Sequence, residues 1–203
     1  MTTRARLVKK QRATKGATAR PLKIVVTGPF SAGKTTLIET ISEVAIVGTE
    51  RDVTDDSRSV KSHTTVAMDF GRITFPGDLS LFLFGTPGQR RFEVMWEVLS
   101  DGMIGFILLI NAADERSIEE GAHILDTFHR YADVPYVVGV THVDEADLPV
   151  KETVDLVRER LELPDHVVCV ACDARSREEV KSLLLQVLAG VLGRLEMARG
   201  SVA

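Results

Sequence analysis

Residues 28–35 read Gly28-Pro29-Phe30-Ser31-Ala32-Gly33-Lys34-Thr35, which matches the phosphate-binding pattern Gly-x4-Gly-Lys-Ser/Thr. An apolar run at 22–26 precedes this stretch, and a helix-like segment at 35–44 follows it. In that strand–loop–helix context, the glycines let backbone N–H groups close around phosphates, and the helix N-terminus attracts anions. Lys34 is then expected to reach the terminal phosphates, and Thr35 to offer its hydroxyl to Mg²⁺. The stretch therefore predicts a nucleoside triphosphate site.

Strand and helix signals alternate after this loop, which predicts an α/β fold. Strands are expected at 22–28, 64–74, 79–85, 103–110, 136–140 and 167–170, and Pro-Gly-Asp at 76–78 should make the second and third antiparallel. Helices are expected near 34–44, 115–131 and 150–162, with Ser-x-x-Glu capping boxes at 117–120 and 176–179. We expect a P-loop NTPase three-layer sandwich, in which a six-stranded, mostly parallel sheet with one antiparallel strand carries helices on both faces.

The last helix carries apolar residues at helical spacing from Val180 to Leu195. This spacing favours a face packed on the sheet, and a partner-binding face is the alternative. A shorter apolar series, Phe92, Met95, Trp96 and Leu99, leaves the same two interpretations open, core or partner surface.

Composition and charge limit the class of protein. The chain has 203 residues, of which 44% are hydrophobic and 27% charged, as in a globular domain. No apolar run is long enough to span a bilayer, and no apolar segment follows the basic N-terminus as in a secretory signal. Residues 1–21 carry seven basic residues and no acidic one, although the net charge is −4. We expect a basic, disordered tail at 1–21, a single domain at 22–199 and a cytoplasmic location.

The partner of the basic tail stays open between an anionic membrane, nucleic acid, the protein's own acidic body and none. Cys169 and Cys172 form a Cys-x-x-Cys pair inside a β-branched run. A redox or zinc site is the alternative, but the run is not a helix start and no second pair completes a zinc site. The pair therefore predicts buried thiols in a reducing compartment.

Further segments follow the predicted strands at the edge where an α/β sheet binds its ligands. Gly85-Thr86-Pro87-Gly88-Gln89 resembles the second switch of Ras-like GTPases, in which the glycine N–H contacts the γ-phosphate and the glutamine orients the attacking water. The run that begins at Thr65 resembles the first-switch threonine and the strand after it. The resemblance implies that Thr65, with Thr64 as fallback, senses Mg²⁺ and the γ-phosphate.

Two segments resemble the part of these proteins that reads guanine. Residues 141–144, Thr-His-Val-Asp, resemble the box Asn-Lys-x-Asp, so Asp144 would accept the two N–H donors of guanine that adenine cannot supply. Residues 173–175, Asp-Ala-Arg, resemble Ser-Ala-Lys, so the Ala174 N–H would point at the guanine O6. Thr141 stands where the box has asparagine, so the amide that braces the nucleotide loops is lost. At His142 the imidazole either stacks on the base or points to solvent.

On these segments, which cover about 22–195, the chain resembles the Ras-like small GTPases. Gly85 stands where they carry an aspartate that supports Mg²⁺, and the first loop offers Asp52, Asp55 or Asp56 as a replacement. The sequence lacks that aspartate but keeps Pro-Gly-Gln at 87–89. In this combination it resembles the GTPases of the bacterial gliding-motility and conservon type, whose members work with roadblock-type proteins. Arg58, with Arg51 as second choice, stands in the loop where that type uses a catalytic arginine. A solvated loop charge is the alternative for both.

The resemblance implies a GTP-binding molecular switch with slow intrinsic GTP hydrolysis. Its cofactors would be Mg²⁺ and GTP/GDP, and its partners a roadblock-type regulator and a membrane-associated sensor complex, with peripheral association at the inner membrane face and no specific nucleic acid. Catalysis is assigned to Gln89, Lys34 and Arg58, and metal binding to Thr35 and Thr65. Nucleotide contacts are assigned to Gly28, Ser31, Ala32, Gly33, Lys34, Thr35, Thr36, Thr65, Gly88, Thr141, His142, Asp144, Asp173, Ala174 and Arg175. The alternatives are a non-cycling nucleotide-binding scaffold and a P-loop ATPase or small kinase.

Overall fold

The computed structural model describes residues 21–45, 68–77 and 79–200, and strands and helices alternate along them. The strands are β1 (Leu22–Thr27), β2 (Asp69–Phe75), β3 (Leu79–Gly85), β4 (Gly105–Asn111), β5 (Tyr136–Thr141) and β6 (Cys169–Ala171). The helices are α1 (Lys34–Ile41), α2 (Glu93–Ser100), α3 (Glu115–Tyr131), α4 (Val150–Arg160) and α5 (Arg177–Gly200), and a short 3-10 helix, Arg90–Phe92, precedes α2.

The strands form one sheet in the order β2-β3-β1-β4-β5-β6. β2 is antiparallel to β3, and the other neighbouring strands are parallel. This sheet confirms the predicted six-stranded α/β architecture with its antiparallel pair. Because β1, β3, β4, β5 and β6 run in one direction, their carboxyl ends meet at one edge, where open α/β sheets bind ligands.

Alternate residues of β1 point to opposite faces of the sheet. Ile24 and Val26 pack into a core formed with α1 and α5, and Val25 packs into a second core that contains Trp96 and Phe128. All five of these side chains are fully buried, and each contributes about 1.5–3 kcal/mol by leaving water. The predicted helices on both faces, and hence the three layers, are confirmed.

The predicted helix starts need one correction. α3 begins at Glu115 because the Asp114 side chain accepts a hydrogen bond from the Arg116 N–H at 3.1 Å. Ser117 is not a cap, since its Oγ accepts from the Asn111 N–H at 2.9 Å and so ties the helix to the end of β4. Ser117 with its glutamate three residues later is therefore not the predicted capping box.

Cys169 and Cys172 are buried free thiols, as predicted. Burial raises the pKa of Cys169 to about 11 and that of Cys172 to about 12, so both are protonated and unreactive at neutral pH. The predicted basic tail lies outside the described residues, apart from Pro21. Across the part of the chain that the structure describes, no helix is long and apolar enough to cross a membrane.

Candidate functional site

The loop between β1 and α1 follows the backbone that its glycines allow. Gly28 has φ 145°, and a Cβ at this position would collide with the Leu109 carbonyl oxygen of β4. Gly33 precedes α1 with φ 87°, a left-handed conformation that other residues rarely adopt. The two glycines therefore let the loop lie close against the sheet and turn directly into the helix.

Lys34 lies in the centre of this loop and is 8% exposed. Its Nζ donates to the Gly28 carbonyl at 2.8 Å and to the Pro29 carbonyl. Burial lowers the pKa of Lys34 to about 8, and the charges of Asp69 and Glu120 oppose that shift. The ammonium group is thus buried among loop carbonyls, where the charge of a phosphate group would stabilise it.

A carboxylate that the sequence analysis did not assign to the site reaches the Thr35 hydroxyl from β2. Thr35 Oγ1 donates to Asp69 Oδ2 at 2.6 Å, and Asp69 is the first residue of β2. Asp69 pairs with Gly85 across the antiparallel ladder, and a Cβ at Gly85 would stand 2.9 Å from the Asp69 Cβ and 3.0 Å from its Oδ2. The Asp69 side chain therefore fills the space that a side chain at position 85 would need.

The segment after β3 lies against the phosphate-binding loop. A Cβ at Gly88 would stand 2.6 Å from the Phe30 nitrogen and 2.8 Å from the Lys34 Nζ, so only glycine fits without a shift. At the start of the segment, the Thr86 hydroxyl donates to the Thr27 hydroxyl at 2.9 Å, and both residues are buried. Gln89 is exposed and faces the same cleft.

At the end of β5, Thr141 connects three elements. Its hydroxyl lies 3.2 Å from the Ala32 carbonyl of the phosphate-binding loop and 3.1 Å from the Ile110 carbonyl of β4. His142 Nδ1 lies 3.0 Å from the same hydroxyl. Thr141 is 2% exposed, so this contact is shielded from water. The hydroxyl therefore braces the loops, the task that the sequence analysis gave to an asparagine amide that Thr141 lacks.

Charged groups gather at the other end of the cleft. Arg175 donates to both carboxylate oxygens of Asp173, at 2.9 and 3.1 Å, and these bonds lower the pKa of Asp173. The Arg175 Nη2 also lies 3.9 Å from Asp144 Oδ2. The Asp144 side chain is 68% exposed, so this last ion pair is weak and screened. Arg175 is thus anchored by Asp173, while the Asp144 carboxylate is left accessible.

These parts line one cleft of about 1160 Å³. Of the residues that the sequence analysis assigned to nucleotide or catalysis, those lining the cleft are Ser31, Ala32, Gly33, Lys34, Thr35, Thr36, Gly88, Gln89, Thr141, His142, Asp144, Asp173, Ala174 and Arg175. Gly28, the residue after β1, does not line the cleft. The proposed Thr64, Thr65, Arg51, Arg58, Asp52, Asp55 and Asp56 lie outside the described residues.

Sequence reasoning missed residues that the fold brings to the cleft, above all Asp69, Glu39 and Phe30. Phe30 is 67% exposed, so its ring stands open to solvent at the cleft. The sequence did contain a signal for Asp69. Gly85 at the end of β3 has no side chain, so it leaves room for the residue opposite it on an antiparallel strand.

Trp96 and Leu99 of α2 are buried, so these two members of the apolar series belong to the core. Trp96 Nε1 also donates to the Pro87 carbonyl at 2.9 Å, which links α2 to the segment after β3. Phe92 and Met95 are half-buried.

The chain is similar to known proteins over most of its length. An uncharacterized protein of Methanocaldococcus jannaschii is 29% identical over 131 residues, which cover 64% of this chain and 76% of that protein. The sequence profile of a family described as "conserved hypothetical ATP binding protein" matches residues 47–193. The matched part contains Asp69, Asp144 and Ala174, and the phosphate-binding loop precedes it. With its P-loop and this match, the chain is a nucleotide-binding P-loop protein and belongs to the family of conserved hypothetical ATP binding proteins.

Proposed function

We propose that the protein is a guanine-nucleotide switch, which binds GDP and GTP with Mg²⁺ and hydrolyses GTP slowly. The observation that carries this proposal is the accessible Asp144 carboxylate, in the cleft whose other end is the phosphate-binding loop. A carboxylate only accepts hydrogen bonds. Guanine offers it two adjacent donors, N1–H and the exocyclic amine, whereas adenine has no such pair. The charge at Asp144 therefore favours guanine.

Phosphate binding falls to the loop and to Lys34. The backbone N–H groups of the loop and the N-terminus of α1 favour anions, and Lys34 adds a full positive charge. Because that ammonium is buried, the triphosphate stabilises it more than it would stabilise an exposed lysine. Gly88 is packed against Lys34, and on this proposal it would sense the terminal phosphate through its own N–H.

The donor set beside the loop fits Mg²⁺, which prefers oxygen ligands and few carboxylates. Thr35 and Asp69 would hold the ion together with phosphate oxygens. We assign a further ligand to Thr65, which lies outside the described residues. No group of three or more His, Cys, Asp or Glu suited to a metal occurs within 21–45, 68–77 and 79–200, which agrees with a site built mainly on phosphate. Bound Mg²⁺ would neutralise charge on the phosphates.

Hydrolysis on this proposal needs positioning more than acid–base chemistry. Gln89, beside the terminal-phosphate end, would orient the attacking water, and Arg58 would stabilise the transferring phosphoryl group. The intrinsic rate is then low, since neither group acts as a general base. A roadblock-type protein would recognise the nucleotide state at the segments near 45–65 and 85–100. On this proposal the GTPase domain spans 22–199. The basic tail before it would favour association with the inner membrane face.

ATP binding is the second candidate, because the family description names ATP. The base end offers a reason for it as well. In the described structure the Arg175 Nη2 lies 3.9 Å from Asp144 Oδ2, so Arg175 competes weakly with a guanine base for this carboxylate.

Displacement of a fluorescent GDP analogue in the presence of Mg²⁺ separates the candidates. GDP and GTP are expected to displace the analogue at least 100-fold better than ADP and ATP, as for a site that hydrogen-bonds two donors of its ligand. Equal displacement by adenine nucleotides would favour ATP binding over the guanine-nucleotide switch. Guanine binding without phosphate release over hours, with and without a partner, would instead favour the non-cycling scaffold.

Gln89→Leu is expected to slow GTP hydrolysis about tenfold or more while the affinity for GTP changes little, because leucine cannot orient water. Single-turnover phosphate release and analogue binding measure the two quantities. Gln186→Leu is the matched control, since Gln186 is exposed on α5 and does not line the cleft. Unchanged turnover in Gln89→Leu would remove Gln89 from the mechanism.

A further inference from the structure

Helix α5 carries leucines that packing on the sheet does not explain. Its sheet-facing side buries Val180, Leu183, Leu184 and Val187. Beside that face, Leu185 is 53% exposed, Leu192 60% and Leu195 53%. Together with Leu188, which is half-buried and packs in part against the core, they form the leucine stripe, spaced by three, four and three residues. That spacing is the seam by which two helices pack lengthwise.

Four charged residues bracket the leucine stripe. Glu178 and Lys181 precede it, and Glu196 and Arg199 follow it, all of them exposed. Within the described part of the chain, none of the four takes part in an ion pair. Their charges sum to zero, so the face selects neither a basic segment nor an anionic membrane. The occupant it fits is apolar along its middle, with both signs of charge at its ends.

We propose that the leucine stripe binds α5 of a second copy of this chain, antiparallel, about a two-fold axis between residues 188 and 189. At that register Glu178 faces Arg199 of the second copy, Lys181 faces its Glu196, and Leu185 faces its Leu192. Two-fold symmetry forms each of these contacts twice. The interface therefore joins Leu185 to Leu192 on each side of the axis, places Leu188 against Ala189 at the axis, and joins opposite charges at both ends.

The charges favour this register over the neighbouring arrangements. Sliding one helix by three residues, almost one turn, places Lys181 opposite Arg199 in one direction and Glu178 opposite Glu196 in the other. A parallel pair about the same stripe sets each charged residue against its own copy. Like charges at matching positions destabilise helix pairs. Of these four arrangements, only the antiparallel register with its axis between residues 188 and 189 brings opposite charges together at both ends.

The size of the face sets the expected affinity. The paired segment, 178–199, is about 31 Å long at 1.5 Å per residue. A single helix pair of this length lies at the small end of specific interfaces, so the dimer should be weak, with a Kd on the order of 10 µM. It should therefore form in a concentration-dependent manner.

Sedimentation velocity of the full chain over a concentration series tests the proposal. The unchanged protein is expected to dimerise, and Glu178→Arg or Arg199→Glu alone to weaken the dimer about tenfold, because each turns two attractive contacts into repulsive ones. The double variant Glu178→Arg/Arg199→Glu is expected to recover the original Kd, which a merely structural effect of either change would not produce. Leu192→Ala should also weaken the dimer.

Leu148→Ala is the matched control, because Leu148 is 43% exposed in the loop before α4, away from α5. It should leave the Kd unchanged. A chain that stays monomeric at the highest concentration loaded would overturn the proposal and leave the stripe to another partner. A dimer that tolerates both single charge reversals would overturn it as well, since its interface would lie elsewhere.

Discussion

Asp69→Asn is expected to weaken the Mg²⁺-dependent affinity for nucleotide by 10- to 100-fold, the range seen when a residue that supports a metal ligand is changed. The variant keeps the shape of the side chain and removes its charge. Asp69 accepts from the Thr35 hydroxyl at 2.6 Å, so the proposed metal site depends on that charge. Titration of a fluorescent GDP analogue, with Mg²⁺ and with EDTA, measures the dependence directly.

Two further variants test the role of Asp69, one as a control and one as a rescue. Asp126→Asn changes an exposed aspartate of α3 that does not line the cleft, and should leave the Mg²⁺ dependence unaltered. The exchange Asp69→Gly/Gly85→Asp moves the carboxylate to the opposite residue of the ladder, where the collision with the Asp69 side chain is removed. It should recover part of the lost affinity. An Asp69→Asn protein with unchanged Mg²⁺ dependence would show that this carboxylate does not support the metal.

Asp69 also shows where sequence reasoning ends. The loop at Gly28–Thr35 could be identified from its residues because the backbone it needs, φ 145° at Gly28 and φ 87° at Gly33, is one that glycine readily adopts. The alternation of strands and helices gave the layers for a similar local reason. The role of Asp69 depends instead on the register of β2 against β3, which is a long-range property. The sequence analysis therefore sought the missing carboxylate among Asp52, Asp55 and Asp56.

Thr141 and Ser117 show the same limit on a smaller scale. Replacement of an asparagine by Thr141 suggested a lost brace, but the hydroxyl reaches the Ala32 carbonyl because β5 delivers it directly beneath the loop. Ser117 has the residue type of a helix cap, yet Asp114 takes that role three positions earlier. Short polar side chains bond to whichever backbone group the tertiary structure brings near, so residue type alone does not fix their partner.

Asp144→Asn is expected to reverse the base preference from guanine to xanthine. The asparagine amide offers a donor where the carboxylate offered a second acceptor, and xanthine carries a carbonyl where guanine carries its exocyclic amine. Affinity for GDP should fall by 100- to 1000-fold, less than at a fully buried site because the Asp144 side chain is 68% exposed. Xanthosine diphosphate should gain affinity in the same variant. Competition against a fluorescent nucleotide, with each diphosphate in turn, measures both changes.

Asp147→Asn controls for the loss of one negative charge from the same loop, since Asp147 is exposed but does not line the nucleotide cleft. A general electrostatic effect would make the two variants alike, whereas base reading makes only Asp144→Asn gain xanthine. Arg175 sharpens the comparison, because it pairs with Asp144 in the described structure and stays anchored on Asp173 without it. If Asp144→Asn leaves GDP binding intact, then the carboxylate serves Arg175 and not the base, and the ATP named by the family description becomes the stronger candidate.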